Sequence, residues 1–432
     1  MKKEINIGLL GFGTVASSFY HIFNERKKEI NSFLSVPVNI KKIFARGGSH
    51  PVPENIKKFL VRNPDEILED KGIDIIIELI GGISSAKEFI NRAIDSGKSV
   101  ITANKALLAE HGEEIFRKCI DKKTHIGFEA AVGGGIPILR AIKNGLVGDN
   151  IRSIYSIING TSNFILSKMA EDGGKFEEVL KKAQEKGYAE ADPSLDINGT
   201  DSAHKLVILG RLAFSTSLST KDVIIEGIED INQLDIGFAK ELGYAVKLLG
   251  ILKNEDSKIE IRVHPTLIPS SCLLSKIDGV FNAFLVNAEY AGPLSLTGYG
   301  AGGNPTAGAV MGDLMEIASK IINNDNHHDF IISKNIDKLK VKIKKEIISK
   351  YYLRFSVMDR PGVLAKISGI LGENCISISS MIQKGRKVEG SVSIVIMTHE
   401  SGEEELFRSI ALCDRLDVVS AKTTVLRIED DI

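Results

Sequence analysis

A short apolar segment followed by closely spaced glycines constrains the fold of this chain most strongly. Residues 5–10 are apolar, and the sequence GFGTVA follows at residues 11–16, where a helical pattern begins. Gly11 permits a tight turn, Gly13 lets the backbone approach a pyrophosphate group, and Ala16 stands at the contact between helix and strand. Because the helix begins with its N–H groups toward the phosphates, the pattern predicts a dinucleotide-binding turn. A tight turn that serves only packing is the alternative.

The segments that follow predict that this turn belongs to a doubly wound α/β domain. Over about the first 130 residues, short apolar runs alternate with amphipathic helical stretches. The runs at residues 75–77 and 100–101 are apolar throughout, which is typical of parallel strands covered on both faces. We therefore predict a Rossmann-type nucleotide-binding domain over residues 1–133. Its predicted strands cover residues 5–10, 38–45, 73–79, 99–102 and 125–129, and its helices include residues 86–96 and 107–120.

The rest of the chain predicts two further domains. Helical segments mix with alternating strands such as residues 151–159 and 259–263, which predicts an α+β substrate-binding and dimerisation domain with a mixed sheet over residues 134–323. A polar linker is predicted over residues 324–350. Residues 351–432 follow the order β-α-β-β-α-β of a ferredoxin-like domain. Its predicted elements are strand 351–358, helix 363–373, strands 376–383 and 390–397, helix 402–412 and strand 418–426.

The charge and cysteine content limit the classes of partner. The formal net charge is −1, from 55 basic and 56 acidic residues, so no overall field attracts nucleic acid or an anionic membrane. No apolar run reaches the roughly 18 residues that a membrane span needs. We expect a cytoplasmic protein whose partners are small molecules and other subunits. The cysteines lack the spacing of a zinc site or a disulfide framework: Cys119, Cys272, Cys375 and Cys413.

Two basic residues are candidates for contact with a cofactor. After the second predicted strand, the acidic residue that would bind a ribose 2′-hydroxyl is missing, and Arg46 stands there instead. Arg46 suits a 2′-phosphate and favours NADP over NAD; a solvated loop residue is the alternative. Lys105 follows the predicted strand at residues 99–102, at the sheet edge where ligands bind, and could reach cofactor or substrate. A surface lysine is the alternative there.

Two further glycine-rich segments lie along the chain. Glu129 precedes the glycine run at residues 133–135, whose carbonyl groups could surround a monovalent cation. A hinge between domains is the alternative, and chemistry alone favours the hinge. Residues 298–306 form a glycine-rich loop before a predicted helix, residues 307–321, which would return toward the nucleotide domain. A flexible lid is the alternative for this loop.

The segment at residues 187–205 concentrates four carboxylates and a lysine. Asp201 and Lys205 are four residues apart on a predicted helix over residues 200–214, so both project from one face and could contact one small zwitterion. The alternative is an exposed ion pair worth about 0.3–0.5 kcal/mol. His204 points away from Lys205, and we expect a structural role for it.

Taken in order, these segments resemble the homoserine dehydrogenase family along nearly the whole chain. The matching stretches are GLLGFGTVA (8–16), ELIGG (78–82), TANKALLAEHG (102–112), FEAAVGGGIPIL (128–139), NGTSNFIL (159–166), GYAEADPSLDINGTDSAHK (187–205) and GYGAGGNPTA (298–307). The resemblance implies a reversible, NAD(P)H-dependent reduction of L-aspartate semialdehyde to L-homoserine, in the biosynthesis of threonine, methionine and isoleucine.

The resemblance also implies roles for particular residues. Lys205 is the expected proton donor to the carbonyl oxygen, and Lys105 is expected to share the environment of the oxyanion and the cofactor. Glu190 and Asp201 are expected to hold the substrate amino group and the catalytic lysine, with Asp196 as a further candidate. The expected nucleotide contacts are Gly11, Gly13, Thr14, Val15, Arg46, Lys105 and Gly302. A monovalent cation, Na+, is expected at Glu129, Val132, Gly134 and Ile136.

The C-terminal module resembles an ACT domain, with the sequence DRPGVL at residues 359–364 between its first strand and helix. ACT domains pair with one another and bind amino acids, so we hypothesise feedback regulation by threonine. An ACT domain that only dimerises is the alternative. We expect a homodimer or a homotetramer.

Two other functions stay open on the sequence. Aspartate-semialdehyde dehydrogenase acts on the same metabolite but needs an activated cysteine to form a thioester. No cysteine here lies in a motif-like setting, and Cys119 falls within a predicted amphipathic helix. A non-catalytic amino-acid sensor with the same domains is the second alternative. The joint presence of Lys205, Asp201, Glu190 and Lys105 argues against it.

Overall fold

The computed structural model describes residues 2–45, 54–328, 339–384 and 391–432, and every statement below concerns these ranges. The strands are β1 (Ile5–Leu10), β2 (Val38–Phe44), β3 (Leu60–Val61), β4 (Ile75–Glu78), β5 (Ser99–Thr102), β6 (Ile126–Gly127), β7 (Ile151–Ile157), β8 (Ile224–Ile225), β9 (Tyr244–Glu255), β10 (Lys258–Pro269), β11 (Phe281–Ala288), β12 (Gly292–Tyr299), β13 (Lys340–Val341), β14 (Ile348–Met358), β15 (Ile378–Lys384), β16 (Ser391–Thr398), β17 (Ser401–Gly402) and β18 (Val419–Ile428). The α-helices are α1 (Thr14–Glu25), α2 (Lys27–Leu34), α3 (Asp65–Leu68), α4 (Ser84–Asp95), α5 (Lys105–Lys122), α6 (Ile138–Arg140), α7 (Gly160–Asp172), α8 (Phe176–Glu185), α9 (Ser194–Ile197), α10 (Thr200–Phe214), α11 (Gln233–Glu241), α12 (Gly303–Asn323), α13 (Val363–Glu373) and α14 (Glu403–Cys413).

The chain forms two compact units, each assembled from three separated segments. The first unit comprises residues 1–154, 201–223 and 281–339, and the second comprises residues 155–200, 224–280 and 340–432. The domain boundaries proposed from the sequence, at residues 133, 323 and 350, stay a prediction. Within the described ranges, every helix is too short or too polar to cross a membrane.

The first unit contains the predicted Rossmann-type domain. Its sheet has the strand order β3-β2-β1-β4-β5-β6, and every neighbouring pair is parallel. β4 and β5 are buried along their whole length, which agrees with their continuous apolar runs. The strand order reverses between β1 and β4. In an open α/β sheet this is the point where the ligand crevice forms, outside the carboxyl ends of the strands.

Helix α12 packs on α1 in the core of the same unit. Fully buried apolar side chains stabilise a fold by roughly 1.5–3 kcal/mol each. The shared buried cluster contains Ala16, Phe19 and Phe23 of α1 and Ala307, Val310 and Leu314 of α12. This packing places the N-terminus of α12 beside the turn that follows β1.

The second unit contains a mixed sheet centred on β10. β9 pairs with β10 in the antiparallel sense along its whole length, whereas β8, β13 and β18 pair with β10 in the parallel sense. The mixed sheet predicted for the substrate domain is therefore confirmed. β10 is also longer than the five residues predicted, because its apolar side chains from Ile259 to Ile268 are buried without a break in the strand.

The C-terminal domain has the predicted ferredoxin-like element order. Its four main strands pair antiparallel in the order β18-β14-β16-β15, with α13 and α14 as the two helices. Helix α13 begins and ends where the sequence predicts. β18 pairs with β14 on one side and with β10 on the other, through Thr266 opposite Arg427. The last strand of the ACT domain therefore extends the mixed sheet.

A buried ion pair joins α11 to β14 within the second unit. Arg354 donates from Nε to Asp235 Oδ1 at 2.6 Å and from Nη2 to Asp235 Oδ2 at 3.1 Å. The hydroxyl of Tyr352 donates to Oδ1 at 3.1 Å. Asp235 is completely buried. The first strand of the C-terminal domain, β14, is thus attached to α11 by the ion pair between Arg354 and Asp235.

Asp235→Ala removes one partner of this pair and leaves the Arg354 guanidinium buried without its counter-charge. We expect the free energy of unfolding to fall by about 3–5 kcal/mol. Urea unfolding followed by circular dichroism measures this, since the chain has no tryptophan. Glu29→Ala removes half of an exposed pair with Arg26 and is the control, with an expected loss below about 1 kcal/mol. Equal losses in the two variants would contradict the prediction.

Candidate active site

The carboxyl ends of β1 and β4 come together at a turn that only glycine can form. Gly11 has φ +99°, a backbone conformation that side chains disfavour. A Cβ atom at Gly11 would also lie 2.6 Å from the carbonyl oxygen of Leu79. Its N–H donates to the carbonyl oxygen of Phe44 at 2.8 Å, at the end of β2. The fingerprint turn is therefore set by the three central strands of the sheet.

Two helix N-termini converge above this turn. Gly13 is the N-cap of α1, and a Cβ there would meet no atom within 4 Å, so the space beside its backbone is open. Gly302, with φ +116°, is the N-cap of α12. A Cβ at the next residue, Gly303, would lie 2.5 Å from Ser18 Oγ and 3.2 Å from Thr14 Cγ2. Both helices thus present N–H groups to the same space, an arrangement that suits an anionic dinucleotide.

Of the other predicted nucleotide contacts, Thr14 is exposed and Val15 half-buried in the first turn of α1. Arg46, the residue on which the preference for NADP depends, lies outside the described residues.

Lys105 is the first residue of α5, and its place is set by the ends of β4 and β5. Asn104 caps the helix and donates from Nδ2 to the carbonyl oxygen of Gly82 at 2.6 Å. The backbone N–H of Asn104 donates to Thr102 Oγ1 at 3.0 Å. Thr102 in turn donates to Glu78 Oε2 at 2.6 Å. The side chain of Lys105 is 43% exposed, so it borders on solvent in the crevice.

Glu78 is a structural residue of this crevice that the sequence analysis did not single out. It is completely buried at the end of β4. Its Oε1 accepts the N–H groups of Ile80 at 2.8 Å and Gly81 at 3.2 Å. The available signal was an acidic residue at the end of an otherwise apolar run, since a buried carboxylate needs hydrogen bonds that fix its neighbours.

At the start of α10, Asp201 lies between two lysines. Lys205 Nζ donates to Asp201 Oδ2 at 2.6 Å, and Lys105 Nζ forms an ion pair with Asp201 Oδ1. Asp201 is 4% exposed and Lys205 is 7% exposed. The Asp201–Lys205 pair is therefore buried and differs from an exposed pair on a helix surface. Lys105, the more accessible lysine, comes from a different helix.

The charges around Asp201 determine its protonation. Burial alone would raise its pKa, but the ammonium groups of Lys205 and Lys105 outweigh burial and hold the pKa well below its usual range. Asp201 is therefore a carboxylate at neutral pH. Burial lowers the pKa of the neighbouring His204, which favours a neutral imidazole. At neutral pH, a carboxylate at Asp201 and a neutral imidazole at His204 are therefore expected beside Lys205.

Arg211 holds α10 against α5. Its Nη1 donates to the carbonyl oxygen of Leu108 at 2.6 Å, and its Nη2 donates to that of Ala109 at 2.7 Å. Its Nε donates to the carbonyl oxygen of Leu218 at 2.8 Å. These bonds fix the spacing between the helix of Lys205 and the helix of Lys105.

The two other predicted substrate residues belong to the second unit. Asp196, in α9, accepts a hydrogen bond at Oδ1 from Asn159 Nδ2 at 2.7 Å. Its backbone carbonyl accepts from Ser162 Oγ at 2.8 Å. Asn159 also caps α7, so Asp196 is anchored to the start of that helix. Glu190 is exposed.

The glycine run after Glu129 forms a compact loop in the first unit. Gly133 and Gly134 have φ values of +76° and +55°. A Cβ at Gly134 would lie 2.5 Å from the carbonyl oxygen of Gly300, so this loop touches the loop that precedes α12. Glu129 is 3% exposed, and its Oε1 accepts the N–H of Leu139 at 2.9 Å.

The carboxylate of Glu129 fits the cation expected there. Its Oε2 is buried and has no hydrogen-bond partner within the described ranges. Burial raises the pKa of Glu129 because its charged form lacks solvation. A cation beside Oε2 would supply the missing interaction, and the carbonyl groups of the loop are suitable further ligands.

Asp313, on α12, is a second buried carboxylate that the sequence analysis missed. Burial, and then the charge of Glu129, raise the pKa of Asp313 to about 7. Its Oδ2 accepts the N–H of Glu129 at 3.0 Å, and its Oδ1 accepts from Arg140 Nη2 at 3.1 Å. The sequence carries no local signal for this contact, because Asp313 and Glu129 are far apart along the chain.

Cys119 is unsuited to thioester chemistry. It is completely buried within α5. Burial raises the pKa of its thiol to about 12, whereas a nucleophilic cysteine needs a depressed pKa and access to its substrate.

Comparison with known proteins identifies the family of this chain. Residues 11–129 match the model "Homoserine dehydrogenase, NAD binding domain", residues 137–315 match "Homoserine dehydrogenase", and residues 351–409 match "ACT domain". The chain is 42% identical to the homoserine dehydrogenase of Neisseria gonorrhoeae over 430 residues, which covers 99% of each chain. The chain belongs to the homoserine dehydrogenase family.

Solved structures of homoserine dehydrogenases share this fold. A homoserine dehydrogenase from Thiobacillus denitrificans matches with a TM-score of 0.92 and 40% identity, covering 99% of each chain. A hyperthermophilic archaeal homoserine dehydrogenase in complex with NADPH matches with a TM-score of 0.63 and 27% identity, covering 73% of this chain and 98% of that one. The predicted resemblance is thus confirmed: the chain is an oxidoreductase of this family, with a nicotinamide-cofactor domain and an ACT domain.

Asp201→Asn removes the counter-charge shared by the two lysines. With Lys205 left buried beside a neutral amide, we expect the free energy of unfolding to fall by about 3–5 kcal/mol. Because the folded pKa of Asp201 is lowered, its contribution is fully present above the ordinary value of 3.8 and is lost as pH falls through the folded pKa. The difference from wild type should therefore be constant between about pH 5 and pH 8.

Urea unfolding at several pH values tests this prediction. The control is Asp149→Asn, because that carboxylate is in the same unit and, among the described residues, accepts hydrogen bonds from backbone N–H groups alone. If Asp201→Asn is as stable as wild type at neutral pH, the two lysines do not depend on this carboxylate.

Proposed function

We propose that the protein reduces L-aspartate semialdehyde to L-homoserine with NADPH, reversibly, in the biosynthesis of threonine, methionine and isoleucine. The observation that carries this proposal is the buried carboxylate of Asp201 between Lys205 and Lys105 at the carboxyl edge of the Rossmann sheet. A reduction of an aldehyde needs a proton donor beside the nicotinamide, and these lysines are ammonium donors at the sheet edge where dinucleotides bind.

Lys205 donates the proton in this mechanism. When bound, the reduced nicotinamide supplies a hydride to the carbonyl carbon of the substrate. Lys205 Nζ transfers a proton to the carbonyl oxygen, which completes the alcohol, and takes the proton back in the oxidative direction. Lys105 stabilises the developing negative charge on the same oxygen. Asp201 orients both ammonium groups, while Glu190 and Asp196 bind the substrate ammonium group.

NADP is the proposed cofactor, with NAD as the alternative. Gly11, Gly13, Thr14 and Val15 would hold the pyrophosphate at the N-terminus of α1, with Lys105 beside the nicotinamide end. Gly302 would approach the cofactor from the start of α12. Support for NADP comes from Arg46 in the sequence and from the archaeal relative in complex with NADPH. Arg46 would pair with the 2′-phosphate.

A monovalent cation, Na+, is the proposed occupant of the loop after Glu129. Glu129 would bind it through Oε2, and the backbone carbonyls of Val132, Gly134 and Ile136 would complete the site. A single carboxylate among neutral carbonyls suits one positive charge better than two. The cation would offset the charge of Glu129 and hold the glycine loop in one conformation.

The ACT domain is the proposed regulatory module, with threonine as the effector. The turn at residues 359–362 separates β14 from α13, and Gly362, with φ +86°, is the N-cap of that helix. We propose that threonine binds at this turn and that the assembly is a homodimer or a homotetramer in the cytoplasm. Residues 1–133, 134–323, 324–350 and 351–432 are the proposed nucleotide, substrate and dimerisation, linker and regulatory segments.

Lys205→Ala tests the proposed chemistry. We expect kcat with NADPH and L-aspartate semialdehyde to fall by about 10²–10⁴-fold, the range for a lost general acid, while the Kd for NADPH stays within a few-fold of wild type. Lys98→Ala is the matched control, because Lys98 is also a buried lysine of the first unit but precedes β5. Comparison of NADPH with NADH in wild type tests the cofactor. A wild type that binds NADPH without oxidising it would instead identify an amino-acid sensor.

Threonine added to the full-length enzyme tests the regulatory proposal. We expect inhibition, and we expect Asp359→Asn to raise the half-inhibiting threonine concentration by about tenfold or more, the effect of one lost charge-assisted hydrogen bond. Glu373→Gln, at the other end of α13, is the control and should leave inhibition unchanged. A wild-type enzyme that is insensitive to threonine would leave the ACT domain with an assembly role only.

A further inference from the structure

Asp313 makes two hydrogen bonds that both lead to the loop of the proposed cation site. It lies on α12 and is 2% exposed. Its Oδ2 accepts the backbone N–H of Glu129 at 3.0 Å, and its Oδ1 accepts from Arg140 Nη2 at 3.1 Å. Arg140 lies after the glycines of this loop, as the last residue of α6. One carboxylate therefore fixes the chain at the start of the loop and again just after it.

The side chain of Asp313 is closely packed against β6. A Cβ at Gly127, the last residue of β6, would lie 2.6 Å from Asp313 Cβ and 2.8 Å from its Cγ. A Cβ at Gly312 would lie 2.8 Å from Arg140 Nη1. Two glycines thus make room for the contact between α12, the end of β6 and Arg140. A side chain held this closely keeps its acceptors in place when the loop is loaded.

One side-chain oxygen atom of Glu129, Oε2, is left for a ligand. Its backbone N–H is bound by Asp313, and its Oε1 accepts the N–H of Leu139 at 2.9 Å. Its Oε2 is buried with no hydrogen-bond partner in the part of the chain that the structure describes. Among the described residues the hydrogen bond between Asp313 and Glu129 is made by the backbone N–H of Glu129, so Asp313 would act on Oε2 through the backbone of Glu129.

We propose that Asp313 is a positioning residue for the monovalent cation, which sets the direction of Glu129 Oε2 and the shape of the loop at residues 129–140. The inference rests on the cation site proposed above and extends it to α12. Residues behind the ligands of a metal site orient those ligands, and their loss weakens metal binding about 10–100-fold. The N-cap of α12, Gly302, lies beside the turn at Gly13, so the helix that would contribute to the nucleotide pocket also holds the loop at residues 129–140.

The test measures cation binding directly as well as activity. The Tm of the enzyme is recorded against NaCl concentration, with choline chloride holding the ionic strength constant, because a cation that binds the folded state raises Tm. The Na+ concentration for half-maximal activity is measured in parallel. For Asp313→Asn we expect both midpoints to rise by about tenfold or more, while kcat at saturating Na+ and the KM for NADPH stay within a few-fold of wild type.

Glu316→Gln is the matched control. Glu316 also accepts from Arg140 Nη2, at 3.3 Å, and lies on the same helix, but the structure gives it no bond to Glu129 among the described residues. We expect its Na+ midpoints to equal those of wild type. Gly127→Ala is the second test variant, for use if Asp313→Asn fails to fold: it displaces Asp313 without changing any charge and should raise the midpoints in the same direction.

Each result tests either the positioning role of Asp313 or the cation site itself. Unchanged Na+ midpoints in Asp313→Asn or Gly127→Ala would overturn the positioning role while leaving the cation site intact. An equal rise in Glu316→Gln would also overturn it, because the effect would then come from Arg140 alone. A wild-type enzyme whose Tm and activity are both independent of Na+ would overturn the cation site and, with it, the role of Asp313.

Discussion

The pairing of one buried carboxylate with two lysines is the constraint on which the carboxyl edge of the sheet in the first unit depends. A carboxylate as buried as Asp201 is tolerated only when opposite charges or hydrogen-bond donors are close to it. Those charges come from Lys205 on the same helix and from Lys105 on α5. Since Arg211 attaches the two helices at a second point, the two ammonium groups keep a fixed separation. Two ammonium groups held in place by one carboxylate suit the proposed proton transfer to a small substrate.

The same principle applies to the loop at residues 129–140 of the first unit, the proposed cation site. Glu129 and Asp313 are both buried, and burial together with the charge of Glu129 raises the pKa of Asp313 to about 7. Arg140 offsets part of this charge through Asp313. The oxygen of Glu129 that stays without a hydrogen bond is the natural place for a further positive charge. Glycines at residues 127 and 312 allow Asp313 and Arg140 to approach these positions.

In the second unit, ionic contacts add to the strand pairing by which the ACT domain extends the mixed sheet. Arg427 of β18 donates to both oxygens of Glu226 at 2.8 Å and also to Glu403. Two residues after Glu226, the N–H of Ile228 donates to the carbonyl oxygen of Ile197, the neighbour of Asp196, at 2.8 Å. A short chain of bonds therefore connects the last strand of the ACT domain with α9. Breaking any member of such a buried network is costly, so the domain is firmly attached.

The sequence alone determined many of the local elements and the family of the chain. Continuous apolar runs predicted β4 and β5, and i, i+4 spacing placed Asp201 and Lys205 on one face of a helix whose limits, Thr200–Phe214, were predicted correctly. The ordered motifs identified the family. Local periodicity and turn chemistry depend on near neighbours, which a sequence displays directly.

Only the tertiary structure decided which distant residues meet. Several contacts join segments that are remote along the chain. Buried Asp201 pairs with Lys105, Glu78 at the end of β4 binds Thr102, and Asp313 binds Glu129. The sequence placed each of these residues on an element, but a carboxylate on a helix looks the same whether it faces solvent or a lysine from another helix. Packing makes the difference, because it removes water from the carboxylate. A buried charge, unlike a charge at the surface, is costly unless it is paired and hydrogen-bonded.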